Sequence, residues 1–231
     1  MIKSVALTFA LVASSAQAGF VHTDWKYTGD EEAVLHEETG IEWLTMLNSQ
    51  TNTVADTNTQ LQDGYYYDGW RYATLEEVDI MMSDFFGEAM DQYSVSGDDT
   101  LMKAAVENYI SMFGITRYLS RGDFTQSFGV TLGADGNVYR AGVGRYLSQY
   151  ANSPWELNFP QLEESEDVDG YKASQSGFFL VSDGGTTLSS KMNPMLNINN
   201  ANAPINNAAA VPVFGVAAFG LLGLIAARRR V

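Results

Sequence analysis

The sequence predicts a single α+β domain, an antiparallel sheet with two or three helices, and three observations carry that reading. Apolar and polar residues alternate with a period of two over residues 41–46, as in a half-buried strand, and the Asp-Gly turn within 133–137 joins two strand-like segments, 124–132 and 138–144, as a hairpin. Between them, apolar residues recur at helical spacing over 75–86 and 101–113. The chain has no cysteine, which excludes disulfides and thiolate metal sites, so a hydrophobic core alone must hold the fold. Residues 20–185 are enough for one such core, and an aromatic content of 12% supplies large packing groups.

In chain order, residues 20–38 place Trp25 and Tyr27 among polar neighbours. Gly40-Ile41-Glu42-Trp43-Leu44-Thr45-Met46 then reads as a strand, with Ile41, Trp43 and Thr45 on one face and Glu42 on the other. A short helix is expected over residues 54–61, ending at Asp63-Gly64. Residues 65–73 read as a strand interrupted by a turn, and Thr74-Leu75-Glu76-Glu77 is a capping box: Thr74 accepts from the Glu77 N–H while Glu77 reaches back to the Thr74 N–H. Leu75, Val78, Met82 and Phe85 or Phe86 set the apolar face of the helix that follows, which Gly87 is expected to end.

Residues 88–99 read as an acidic loop. The second helix, residues 101–113, carries Leu101, Ala105, Tyr109 and Met112 on one stripe and closes at Gly114. Residues 124–132, the turn Gly133-Ala134-Asp135-Gly136-Asn137, and residues 138–144 form a hairpin in which Arg140 and Arg145 offset nearby carboxylates. Residues 154–170 are expected to be a loop carrying Trp155, and 176–185 the last core strand and turn. Residues 186–210, rich in Asn, Ala and Ser, read as a linker.

The charge narrows the partners. Residues 19–210 hold nine Lys and Arg against 28 Asp and Glu, a net of −19, which argues against nucleic acid and for a solvated or cation-attracting surface. The densest acidic run, 163–170, read as a calcium loop from Ser165, has Asp167, Asp169 and Gly170 in place. Ser165 and Ser176 stand where Asp and a bidentate Glu are wanted, so it is not an EF-hand, and a solvated acidic loop with no metal is expected. His22 and His36 lie in no catalytic motif, there is no Gly-rich phosphate loop, and no spacing singles out a carboxylate pair for glycoside hydrolysis. No catalytic residue and no cofactor are assigned.

Candidate ligand-binding residues are Trp70, Arg71, Tyr65 and Tyr67. Arg71, between Trp70 and Tyr72, has the chemistry to hold a ligand carboxylate or sugar hydroxyl, or to pair with a nearby Asp or Glu; the pairing is the expectation. The tyrosine run 65–67 either stacks on sugar rings or divides between core and surface.

The two ends set the expected location. Lys3, an apolar stretch over residues 5–12 and Ala16-Gln17-Ala18 make residues 1–18 a secretory signal peptide, so the mature chain is expected to start at Gly19. Residues 211–227 carry no charge and precede Arg228-Arg229-Arg230. As a helix they span roughly 25 Å, the lower limit for a bilayer core of about 30 Å. The arginines prefer the cytoplasmic face, so the domain at 19–185 is expected outside.

Val211-Pro212-Val213, the spaced Gly215, Gly220 and Gly223, and the cluster Arg228, Arg229 and Arg230 resemble the PEP-CTERM class of bacterial sorting signals, here without that class's glutamate and second proline. The resemblance covers residues 211–231. It implies an exosortase-type membrane transpeptidase as partner, cleavage near Pro212, and passage from an inner-membrane-anchored precursor to the cell surface or exopolysaccharide matrix of a Gram-negative bacterium. Gly40-Ile41-Glu42-Trp43-Leu44 followed by Gly69-Trp70-Arg71-Tyr72-Ala73-Thr74-Leu75-Glu76-Glu77-Val78 resembles a domain of PEP-CTERM proteins. It is also distantly similar to the Gly-Trp-Arg-Leu-Pro-Thr segment of C-type-lectin-like bacterial surface domains. These resemblances imply a location and no activity. Three readings follow: a non-enzymatic surface or matrix protein, a carbohydrate-binding module of C-type-lectin-like form, and a secreted hydrolase using two carboxylates.

Overall fold

The computed structural model describes residues 19–91, 100–118, 124–146, 155–163, 167–172 and 175–193. Residues 1–18 and 194–231 lie outside that set, and with them the expected signal peptide, most of the expected linker and the expected sorting segment. Among the described residues no helix is long and apolar enough to cross a membrane.

The architecture is mixed α and β, with two largely antiparallel sheets and four α-helices among the described residues, one more than the sequence suggested. The first sheet has the order β1-β2-β3-β10-β4, from Phe20–Thr23, Ala33–His36, Glu42–Leu44, Leu180–Ser182 and Arg71–Tyr72. The second has the order β5-β6-β7-β8, from Arg117–Tyr118, Phe124–Leu132, Val138–Tyr146 and Trp155–Glu163. A short β9, Gly177–Phe178, pairs parallel to β6 on the edge it shares with β5. The helices are α1 Val54–Gln60, α2 Leu75–Asp91, α3 Thr100–Phe113 and α4 Leu188–Met192.

Residues of the first sheet point alternately into two cores. Val34, Trp43 and Val181 join α2 and α3 in one cluster with Met81, Phe86 and Phe113, while Ala33, Leu44 and Leu180 join Trp25, Tyr67 and Trp70 in the other. Both faces are therefore covered, and the period-two rule that placed Glu42 opposite Trp43 puts it on the buried face with Leu44, not in solvent.

The capping box forms as the sequence indicates: Glu77 N donates to Thr74 Oγ1 at 3.1 Å and Thr74 N to Glu77 Oε2 at 2.8 Å. The short helix α1 has an analogous box between Thr53 and Asp56. Gly87 does not end α2, which continues to Asp91. A glycine stops a helix by taking the left-handed conformation, which Gly87 does not; held in helical geometry it only weakens the helix. Gly114 does stop α3, at φ +85° with its N–H returning to Ile110 O. The buried stripe of α3 is Met102, Ala105, Val106, Tyr109 and Phe113, and Leu101 faces outward.

The β6–β7 hairpin holds the expected register, Phe124 opposite Tyr146 and Leu132 opposite Val138. Arg140 lies 3.7 Å from Glu163 and Arg145 2.8 Å from Glu107, so both offset carboxylates. Several expectations fail. Residues 155–163 are not loop but strand β8, whose Pro160 is tolerated because β8 is the sheet edge. Residues 20–36, left without an element, form the hairpin β1–β2. The segment 65–73 is mostly turn, with only Arg71–Tyr72 in a sheet. The last core strand divides between β9 and β10, with Phe179 bridging the two sheets: its N–H goes to Val130 O and its C=O receives Ala73 N. Residues 186–192, expected to begin the linker, instead belong to the domain, where α4 packs: Leu188 N reaches Trp25 O at 2.8 Å.

Candidate functional site

Three segments converge at the far edge of the aromatic core: residues 24–30, the turns of 62–70, and 186–191. Asp30 shapes the first. Its carboxylate receives the N–H groups of Trp25, Lys26 and Tyr27, each at 2.8 Å, and of Glu32 at 3.2 Å. Burial pushes this carboxyl up, but the four donors outweigh it and leave it below the ordinary carboxylate range. Trp25 and Lys26 are thereby fixed as neighbours.

The second segment turns at Gly64 and Gly69, with φ of +80° and +82°. Asp68 closes the turn by accepting the Gly64 N–H at 3.0 Å. Tyr67 points inward, where its hydroxyl donates to Asn48 O at 2.6 Å and accepts from Asn52 Nδ2, and burial pushes its pKa up to about 12. Tyr65 and Tyr66 point outward, 54% and 51% exposed. Trp25 joins the two sides, edge-on to Tyr66 at 5.2 Å and to Trp70 at 5.8 Å, and stacked on Tyr67 at 6.0 Å.

The third segment is clamped from beneath by Glu42, only 1% exposed. Its Oε1 accepts from Thr187 Oγ1 and Ser190 Oγ, and Oε2 from the N–H groups of Thr186 and Thr187 at 3.4 Å. Thr187 also caps α4 by accepting from Ser190 N. The clasp delivers Thr186, Leu188 and Lys191 to the wall of a groove whose other wall is Trp25, Lys26, Tyr65, Tyr66 and Asp68. Its volume is about 600 Å³. The Lys26 ammonium lies 3.1 Å from the Tyr66 ring centroid and 4.0 Å from that of Trp25, and donates to Tyr66 O at 3.2 Å. Burial lowers the Lys26 pKa, and Glu32 and Asp30 partly restore it.

Of the four candidates from sequence, one lies on this groove. Tyr65 lines it; Tyr67 and Trp70 are its buried floor supports; Arg71 is elsewhere. The Arg71 guanidinium forks onto Glu77, at 2.7 and 2.8 Å, and reaches Asp183 at 2.6 Å, so the expected structural pairing is what forms. The Glu77 hydrogen bond heads the contacts that raise the Arg71 pKa above its ordinary value. Sequence reasoning missed Trp25, Lys26 and Lys191. A lysine set between Trp25 and Tyr27 in an acidic chain was the available signal; Lys191 gave none, because its place depends on the Glu42 clasp.

A second depression of about 480 Å³ lies near His22, Asp30, Glu31 and Glu32. Among the described residues no group of three or more His, Asp or Glu is disposed to hold a metal ion. Comparison with protein-family models, with curated proteins and with solved structures gave no match.

Proposed function

We propose that the chain is an exported, non-enzymatic surface or matrix protein that holds polysaccharide in the groove formed by Trp25, Tyr65 and Tyr66. One observation carries the ligand class: two half-exposed tyrosines stand beside a fixed tryptophan at a groove rimmed by polar side chains. Sugar rings present an apolar C–H face and a rim of hydroxyls, and the half-exposed tyrosines offer a matching apolar face with a polar tip at low entropic cost, backed by buried Trp25. The groove lining carries one carboxylate, Asp68, and no pair of acids, which favours holding a polymer over cleaving it.

Location rests on the two ends: the signal peptide at 1–18, and the resemblance of 211–231 to a PEP-CTERM tail that an exosortase-type transpeptidase would cut on the way to an exopolysaccharide matrix. The distant similarity of the Gly69-Trp70-Arg71 segment to C-type-lectin-like surface domains supports the same ligand class, and a C-type-lectin-like form of the α+β domain is part of this proposal.

A glycan array probed with the full chain, with and without calcium, tests the reading. Calcium-independent binding that Tyr65→Ala and Tyr66→Ala each weaken by about three- to tenfold is expected, since covering the exposed half of each ring contributes about half of the roughly 1.5–3 kcal/mol of a fully buried large side chain. Binding that requires calcium would favour a lectin-type metal site instead. Shortening of the bound glycan would establish the hydrolase, and no binding in either condition would remove the groove as a glycan site.

A further inference from the structure

We infer that the groove selects polysaccharides bearing carboxylate groups, with Lys191 and Lys26 facing the acid sugars. This inference rests on the glycan reading of the groove and adds the charge of the ligand. The chain holds only five lysines and a formal charge of −15, yet two of the five line this one groove. The one carboxylate on the wall, Asp68, is already committed to the Gly64 N–H. Asp30, beside Lys26 in sequence, is turned onto backbone N–H groups, four of which it accepts.

Neither groove lysine is within salt-bridge distance of a carboxylate among the described residues, whereas the arginines Arg71, Arg140 and Arg145 all are. Lys26 is already held over the Tyr66 and Trp25 rings and feels Glu32 and Asp30, so exposed Lys191 is the less engaged charge of the two. Lys26 gives one N–H to Tyr66 O, and an ammonium has three to give. Lys191 stands exposed on the last turn of α4, and the Glu42 clasp sets the helix that carries it. Acidic surface farther away is screened within about 8 Å at physiological ionic strength, so the local pair, not the net charge, meets the polymer.

The experiment compares polygalacturonate with the same polymer after reduction of its carboxyl groups to alcohols, binding each to the full chain in detergent at about 0.15 M salt. The wild type is expected to bind the carboxylated polymer three- to tenfold more tightly. Lys191→Gln is expected to remove most of that preference, and the double variant with Lys26→Gln all of it, the Tm of each variant being measured to show that it is folded. Equal affinity of the wild type for both polymers, or a preference that survives both substitutions, would overturn the inference and leave the glycan groove standing. Failure to bind either polymer, with Tyr65→Ala no different from wild type on a full array, would overturn both.

Discussion

The Ser190 hydroxyl donates to the Glu42 carboxylate across 148 positions of the chain, fully inside the protein. Thr187 Oγ1 joins it on the same oxygen, so a strand near the start of the domain holds the helix near its end. Replacing Glu42 with Ala leaves two hydroxyls and two N–H groups without their acceptor, at a cost of about 3 kcal/mol or more. Glu42→Gln keeps the shape and one acceptor, and the hydroxyls can rotate, so about 1 kcal/mol is expected. Urea unfolding measures both; an Ala variant within 0.5 kcal/mol of wild type, by the about ±0.5 kcal/mol spread of neutral surface changes, would contradict the clasp.

Arg71 supports the fold and does not touch the groove, and its two roles separate experimentally. Arg71→Lys loses the bidentate fork onto Glu77, and the exposed half of the pair is screened, so a destabilisation of about 1 kcal/mol is expected. Glycan affinity should be unchanged. A loss of affinity larger than the loss of stability explains would return Arg71 to the ligand site.

Gly142 sits where β7 shifts register against β8, at φ +140°, and a Cβ there would lie 2.2 Å from Ser127 O. Backbone, not a flexible side chain, would have to move. Gly142→Ala is therefore expected to cost about 3 kcal/mol or more, seen as a fall in Tm, while Gly87→Ala, which meets nothing within 4 Å, should be neutral or stabilising by up to about 1 kcal/mol.

His36 makes the fold sensitive to mild acid. It is 3% exposed and stacked on Phe20 at 4.4 Å; its Nδ1 lies 2.9 Å from Thr39 Oγ1 and its Nε2 3.4 Å from Asp84. Burial lowers its pKa below the ordinary 6.5, and the nearby Asp84 and Glu38 only partly oppose this. The unfolded chain therefore takes up the proton first: the stabilisation is fully present above about pH 6.5 and is lost as pH falls through the folded value. The stability of wild type minus that of His36→Gln should fall as pH drops from 7 to 5, by at most about 1.4 kcal/mol per pH unit. A difference that is flat or rises toward acid would contradict a buried neutral imidazole.

What the sequence made legible was local. The Thr74-Glu77 box, the helix stop at Gly114 and the β6–β7 hairpin depend on residues close in the chain, and each appears where its side chains require. What it hid was set by tertiary contact. Alternation sets Glu42 opposite Trp43 but does not by itself say that both faces are covered. Residues 155–163 read as loop in the sequence, and their Pro160, disfavoured in a central strand, is tolerated because β8 lies at the sheet edge. The groove was half visible: the tyrosine run drew attention to the right turn, but Trp25 and Lys191 reach it from distant segments held by Asp30 and Glu42.

The central claim, that this domain works outside the cell in a polysaccharide matrix, is tested most directly by mass spectrometry of the chain's two termini in matrix, membrane and cytosolic fractions. The account predicts matrix-associated chain that begins at Gly19 and has lost Arg228-Arg229-Arg230, with the Tyr65→Ala, Tyr66→Ala double variant processed identically but released to the medium. Full-length chain carrying both ends intact and found in the cytosol would contradict it.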